Sequence, residues 1–288
     1  DVSNRGVEVA IGGYPVRGKN FSWSSDLNIS VNRNRIESLN NAQINSYMQD
    51  AFIVGRPAGT VKGYVVDHIV QNMDEVNQLN AKAMENGYAE YQSGTGVGDF
   101  LMKDIDGNGV ITSDDRDVIA TPEAKFFGGW TNTFTYKNFS LSFLMQFSYG
   151  GQAVYSNLGE EMSGVLGQSV GRELYGNTWT PERTDAKYAR LVAGSMSYNY
   201  QVNDRFVFDT SYLRMKNVTF SYSLPKEWIN KCYLSNASVF VTATNLFTVT
   251  KWPGLDPETV STGITSMGTN SDPYPLSRSF SLGVKLQF

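Results

Sequence analysis

The chain has one cysteine, Cys232, and one histidine, His68, among 288 residues. A lone cysteine excludes an internal disulfide, and Cys232 reads as a packed apolar residue in a short connector. A catalytic histidine would need a nucleophile or acid partner, and a lone one near a strand end reads as a wall or loop residue. Charge is scarce as well. Asp, Glu, Lys and Arg make up 18% of the chain, against about 25% in ordinary soluble domains. Net charge is −4 and the basic residues are scattered, so no nucleic-acid surface is expected. No apolar run approaches the roughly 18 residues a membrane helix needs, which excludes a helical membrane protein. No signal peptide opens the chain. Asp1-Val2-Ser3-Asn4-Arg5-Gly6 leads directly into a strand, so we expect an upstream portion to be missing or carried by another chain.

What is present is alternation. Phe280, Leu282, Val284, Leu286 and Phe288 share one face of a final strand, and Ser281, Gly283, Lys285 and Gln287 share the other. Phe139, Leu141, Phe143, Met145, Phe147 and Tyr149 repeat the pattern, as do Val218, Phe220, Tyr222 and Leu224. With aromatics at 13% and abundant Ser, Thr and Asn, this suits a β-barrel wall with lipid on one side and water on the other. Alternation hides such a face from any hydropathy average. Phe288 fits an interfacial anchor, and equally a recognition signal for barrel insertion.

Short turns are expected at one end of such a barrel and long excursions at the other. Counting back from a descending final strand, 235–250 ascends, 208–224 descends, 139–150 ascends and 125–136 descends. A first hairpin turns at 16–20, residues 60–70 ascend, and Ser46 to Val54 is needed as an extra descending strand. That makes about nine strands. The connector Pro225–Lys231 suits one helical turn. An odd, open sheet leaves edge amides without partners in hydrocarbon, so the chain is expected to be part of a larger wall. The stretches 71–124, 151–207 and 251–275 fall outside the cell.

Asp104 to Asp115 follows the twelve-residue calcium-loop pattern. Asp104, Asp106 and Asn108 stand at positions one, three and five, with Gly109 at the sharp turn. Val110 would offer its carbonyl, Thr112 a hydroxyl or bridging water, and Asp115 the closing carboxylate. Ile111 would pin the loop to its support. The alternative is an acidic, Gly-rich turn with no ion. Without a following long amphipathic helix, a structural Ca2+ clip is expected rather than a sensor.

Several blocks in order resemble the C-terminal half of SusC/RagA-type TonB-dependent transporters of Bacteroidetes. They are Asp104–Asp115 with Pro122-Glu123-Ala124-Lys125-Phe126-Phe127-Gly128-Gly129, Tyr136-Lys137-Asn138-Phe139-Ser140-Leu141, Tyr212-Leu213-Arg214-Met215-Lys216-Asn217 continuing to Pro225, Asn245-Leu246-Phe247-Thr248 with Lys251-Trp252-Pro253-Gly254-Leu255-Asp256-Pro257-Glu258, and Tyr274-Pro275-Leu276-Ser277-Arg278. Asn4–Glu8 and Gly55–Gly59 fit too. The resemblance implies that residues 1–288 form the C-terminal part of a barrel of about 22 strands in the Gram-negative outer membrane. It implies TonB-driven import of glycan or peptide fragments and a SusD-like surface lipoprotein as lid. Plug and TonB box match no residues here. The partners it implies are that lipoprotein, the TonB complex, the rest of the barrel, outer-membrane lipid and an oligosaccharide or peptide substrate. A passive porin or structural barrel without TonB coupling is the alternative, and an enzyme is disfavoured. Tyr198-Asn199-Tyr200-Gln201 and Trp179 could stack on sugar rings at the outer mouth, but packing is the favoured reading.

Overall fold

A computed structural model describes residues 1–39, 52–163, 169–192, 198–230, 233–259, 269–270 and 274–288. In chain order the elements are β1 (Val2–Arg17), β2 (Phe21–Ile36), β3 (Val61–Gly63), β4 (Val66–Ile69), α1 (Met73–Glu85), β5 (Phe100–Met102), β6 (Asp117–Ala120), β7 (Phe126–Tyr136), β8 (Phe139–Tyr149), β9 (Gln152–Tyr155), α2 (Asn157–Met162), β10 (Val207–Asp209), β11 (Tyr212–Ser223), α3 (Lys226–Ile229), β12 (Asn236–Thr244), β13 (Thr248–Thr250), β14 (Thr269–Asn270) and β15 (Ser279–Gln287).

The wall is one antiparallel sheet in the order β1-β2-β7-β8-β11-β12-β15, with β13 added beside β11. The path has seven strands, not nine. The expected strand at 60–70 is two short strands outside the wall: β3 pairs with β6, and β4 with β5. The expected strand at 46–54 falls largely outside the described residues, and its last three, 52–54, are not strand. Dropping this up-and-down pair leaves every other strand direction unchanged, because β2 pairs directly with β7. Residues 235–250 break into β12 and β13 at Asn245, whose φ is +50°. The Lys137-Asn138 turn and the single helical turn α3 lie where they were expected.

Register explains the alternation. Trp23, Phe134, Leu141, Phe220, Val241 and Leu282 line up across six strands on one face. One step along, Ser24, Thr133, Ser142, Thr219, Thr242 and Ser281 line up on the other. The hydroxyls bond across strands, Thr133 to Ser142 at 3.0 Å and Thr219 to Thr242 at 2.9 Å. The apolar row stays exposed: Val241 and Val284 are 47% and 61% accessible. Two indole N–H groups on this face are bonded, while Asn132 Nδ2 is buried without a partner among the described residues. The Trp23 indole donates to Asn132 Oδ1 at 2.9 Å, and the Trp130 indole donates to Ser25 Oγ at 2.8 Å. That satisfies donors where hydrocarbon offers no acceptor.

The core lies elsewhere. Tyr64, Val66, Ile69, Phe100, Met102, Ile111, Val154, Leu158, Met162, Leu174, Tyr188 and Phe206 form one buried cluster. The excursions at the rim therefore pack into a body of their own. Trp179, Tyr198 and Tyr200 pack against this cluster, which favours the packing reading over sugar stacking.

Candidate functional site

Helix α1 opens this outer body. Asn72 caps it by accepting the amides of Asp74 at 3.1 Å and Glu75 at 3.2 Å. Glu75 then faces His68 on β4. His68 Nε2 lies 3.0 Å from Glu75, and Nδ1 lies 2.9 Å from Asp67 Oδ2. Burial lowers the imidazole pKa, but hydrogen bonds to the two carboxylates outweigh it, and the net shift is upward. The imidazole is thus a clip between β4 and α1. It carries no nucleophile among its bonded partners.

The Asp104–Asp115 loop follows β5. Asp104 folds it by accepting the amides of Gly107 at 2.7 Å and Gly109 at 2.8 Å. Both glycines have positive φ, +76° and +87°, which favours residues without a Cβ. Asp115 is fully buried and receives the amides of Ile105 and Thr112, each at 2.8 Å. Thr112 is the cap of the short turn Ser113–Asp115, its hydroxyl accepting the Asp114 amide at 3.1 Å. Asn108 Oδ1 accepts the Val110 amide at 2.9 Å, and its Nδ2 donates to Asp106 at 2.9 Å. Ile111 is buried in the core cluster and anchors the loop, with Tyr198 Oη donating to its carbonyl at 3.0 Å.

One carboxylate oxygen each from Asp104, Asp106 and Asp115 lies within 4.8 Å of the others. Two oxygens bound to one calcium can be at most about 5 Å apart, twice the usual bond length. The three carboxylates therefore fit one hard cation. Asp115 Oδ1 is taken up by the amides of Ile105 and Asp106, at 2.8 and 3.4 Å, so Oδ2, which accepts the Thr112 amide, is the oxygen with a lone pair left to offer. The negative field reaches nearby phenols. Burial, then the Asp104 charge, push Tyr91 up to about 12. Burial and Asp115 raise Tyr198.

A second charged cluster clamps the rim. Arg214 of β11 is buried and donates to Asp256 at 2.6 Å, Glu258 at 2.5 Å and Thr248 Oγ1 at 2.9 Å. Lys216 reaches both Glu258 oxygens, at 2.8 and 2.9 Å. Asp256 also accepts the Glu258 amide at 2.9 Å. Burial raises the Asp256 pKa, but these bonds outweigh it and the net shift is downward. The two sequence blocks around 214 and 256 are thus halves of one clamp. Sequence reading did not pair them, although two closely spaced cations and two closely spaced anions were the available signal.

The sheet, the outer body and the clamp set the frame for comparison. No family model matches the chain. The TonB-dependent receptor P3 of Formosa agariphila is 28% identical over 307 residues, and the TonB-dependent receptor SusC of Bacteroides thetaiotaomicron is 28% identical over 293. Each alignment covers all of this chain, and 29% and 26% of the respective relative. The structure of the RagAB peptide transporter superposes over the whole chain with a TM-score of 0.71 at 19% identity. The RagAB peptide importer in its open-open state gives 0.69 at 20%. This chain is SusC/RagA-like. It spans under a third of the length of the curated relatives it matches. The RagAB likeness shows the fold, an antiparallel barrel wall. SusC- and RagA-like chains are outer-membrane proteins and not enzymes, and the exposed apolar face suits that place.

Proposed function

We propose that residues 1–288 form the C-terminal wall and outer loops of a TonB-dependent importer of nutrient oligomers. The observation that carries this is the two-faced sheet, apolar on one side and hydroxyl-lined on the other, in a chain similar throughout to SusC. An open sheet needs partners for its edges β1 and β15, which the rest of one barrel would supply. The hydroxyl face lines a hydrated lumen. A groove of about 760 Å3 there, bordered by Glu8, Asn28, Asn32 and Gln146, offers hydrogen bonds to a passing oligomer. Such groups suit sugar hydroxyls and peptide amides alike. Glycan is the commoner theme of the resembling family, while the RagAB relatives are described as peptide transporters. The outer body suits contact with a SusD-like lipoprotein lid.

The test is uptake by whole cells expressing the complete transporter, with fluorescent oligosaccharides and peptides in parallel. Active import predicts uptake that stops when a protonophore collapses the proton-motive force. Uptake that persists would support a passive pore and overturn the proposal.

We also propose that Asp104, Asp106 and Asp115 hold a structural Ca2+, with Asn108, the Val110 carbonyl and Thr112 completing the set. The ion would tie the loop to the outer body and do no chemistry. Calorimetry of the complete transporter at millimolar calcium should show uptake that Asp104→Ala removes. No uptake by the unaltered protein would refute the site.

A further inference from the structure

On the exposed apolar face, at the end of the wall that carries the long excursions, lies a groove of about 530 Å3. Phe147, Leu213 and Val249 cross it in register, and Phe126 pairs with Tyr149 above them. These residues continue the apolar belt outward, one step beyond Met145 and Met215. The groove also carries Lys251, which alternation from Val249 puts on the same side. Lys125 sits beside it, with Nζ 5.7 Å from the centre of the Tyr149 ring. Its backbone carbonyl is held by Arg33 Nη2 at 2.8 Å.

Further cations share this face and level. Arg5 lies directly across from Arg33, and Arg35 lies two residues further along β2. The nearby acids are engaged. Glu123 accepts the Asn34 amide at 2.7 Å and pairs with Arg33 at 3.7 Å, and Glu37 pairs with Arg35 at 3.6 Å. Asp209, the acid lining the groove, accepts the amide and hydroxyl of Ser211, neutral donors that leave its charge in place, so one carboxylate there stands against the two lysines. An apolar slot below and lysines above, at the outer edge of a lipid-facing belt, match an acyl chain beneath an anionic phosphate headgroup.

We infer that this groove binds an anionic, phosphate-bearing lipid of the outer leaflet, with acyl chain against Phe147, Leu213 and Val249 and phosphate toward Lys125 and Lys251. The inference rests on the bilayer-facing reading of the belt.

Native mass spectrometry of the complete transporter tests it, with phosphatidylglycerol as probe and phosphatidylcholine of the same chains as reference. The unaltered protein should retain phosphatidylglycerol preferentially. The Lys125→Gln/Lys251→Gln pair should lower that retention about tenfold and leave phosphatidylcholine unchanged. Val249→Gln, at an exposed position, should lower retention of both lipids. Equal retention of the two lipids by the unaltered protein would overturn the inference, as would a double variant unchanged within about twofold. Displacement of phosphatidylglycerol by excess inorganic phosphate would support headgroup recognition at the lysines. Quenching of tryptophan emission by brominated phosphatidylcholine separates the two readings. Quenching without lipid preference refutes only the lipid site, whereas no quenching refutes the membrane-wall reading itself.

Discussion

Replacing Arg214 with methionine should release the segment from Thr248 to Glu258 from the wall. Arg214 is buried and contacts two carboxylates, of which Asp256 is also buried. Removing one member of a buried pair costs about 3–5 kcal/mol, because the other charge is left desolvated. Two features favour the lower end. Glu258 keeps Lys216, and Asp256 keeps the amides of Glu258 at 2.9 Å and Leu276 at 3.3 Å. A cost of about 3 kcal/mol raises the local opening constant about a hundredfold. Hydrogen exchange read by mass spectrometry on the complete transporter measures this directly. Peptides covering 245–259 should exchange about a hundredfold faster in Arg214→Met, while peptides from β8 keep their protection. A change below about threefold at 245–259 would refute the view that the charges hold the segment. Acid should act on the same clamp. The folded-state pKa of Asp256 lies below its ordinary value of 3.8. Its contribution is therefore complete above about pH 4 and fades as pH falls through the folded value.

Val241→Arg, on the exposed apolar row, should cost about 2–4 kcal/mol if it lies near the midplane and lower the yield of membrane-inserted protein, while Thr242→Arg on the hydroxyl face should not; equal yields would contradict the face assignment. His68 should tie α1 most firmly below about pH 6.5 and lose its grip as pH rises through its raised folded-state value. Protection of residues 73–85, taken relative to the base-catalysed intrinsic exchange rate, should fall across that range, and His68→Gln should abolish the fall; protection that does not change with pH in the unaltered protein would refute the clip. Asn132→Leu removes the acceptor of the Trp23 indole, and an unpaired buried donor costs about 1–3 kcal/mol, of which part is offset because the unpartnered Asn132 Nδ2 is removed as well. Unfolding from bilayers in urea should shift to lower denaturant, and no shift would show that Trp23 finds another partner.

The wall was legible because alternation runs through most of each long strand, interrupted in β1 between Gly13 and Val16 and in β11 between Met215 and Asn217. Phe139 to Tyr149 was read within one residue of its observed bounds. The misreading of 60–70 has a physical cause. Val66 and Ile69 are as apolar as any belt residue, yet they are buried in the outer body against Phe100 and Met102. A two-residue rhythm reports that one side is apolar, not whether lipid or protein lies against it. Helix α1 escaped notice although Asn72, Asp74 and Glu75 carry a start signal, because only Val76 and Ala83 of the helix are buried. The calcium-loop spacing was plain in sequence, and Ile111 took the anchoring place expected of it. The pairing of Arg214 and Lys216 with Asp256 and Glu258 was hidden by about forty intervening residues, a separation that no local pattern bridges.

Strand β11 slips against β8 between Met215 and Asn217, so Lys216 is one residue more than the partner needs. Above the slip, Arg214 faces the clamp. Below it, Val218, Phe220 and Tyr222 fall in phase with the apolar row. Since successive side chains point to opposite sides, the spare residue shifts the numbering, so that odd residues face outward above the slip and even ones below it, while β8 runs past without a break. Deleting Lys216 would restore unbroken alternation, with Arg214 inward, Met215 outward, Asn217 inward and Val218 outward, so neither half of β11 would change sides. The loss would fall on Glu258, which would keep Arg214 but forfeit its second cation.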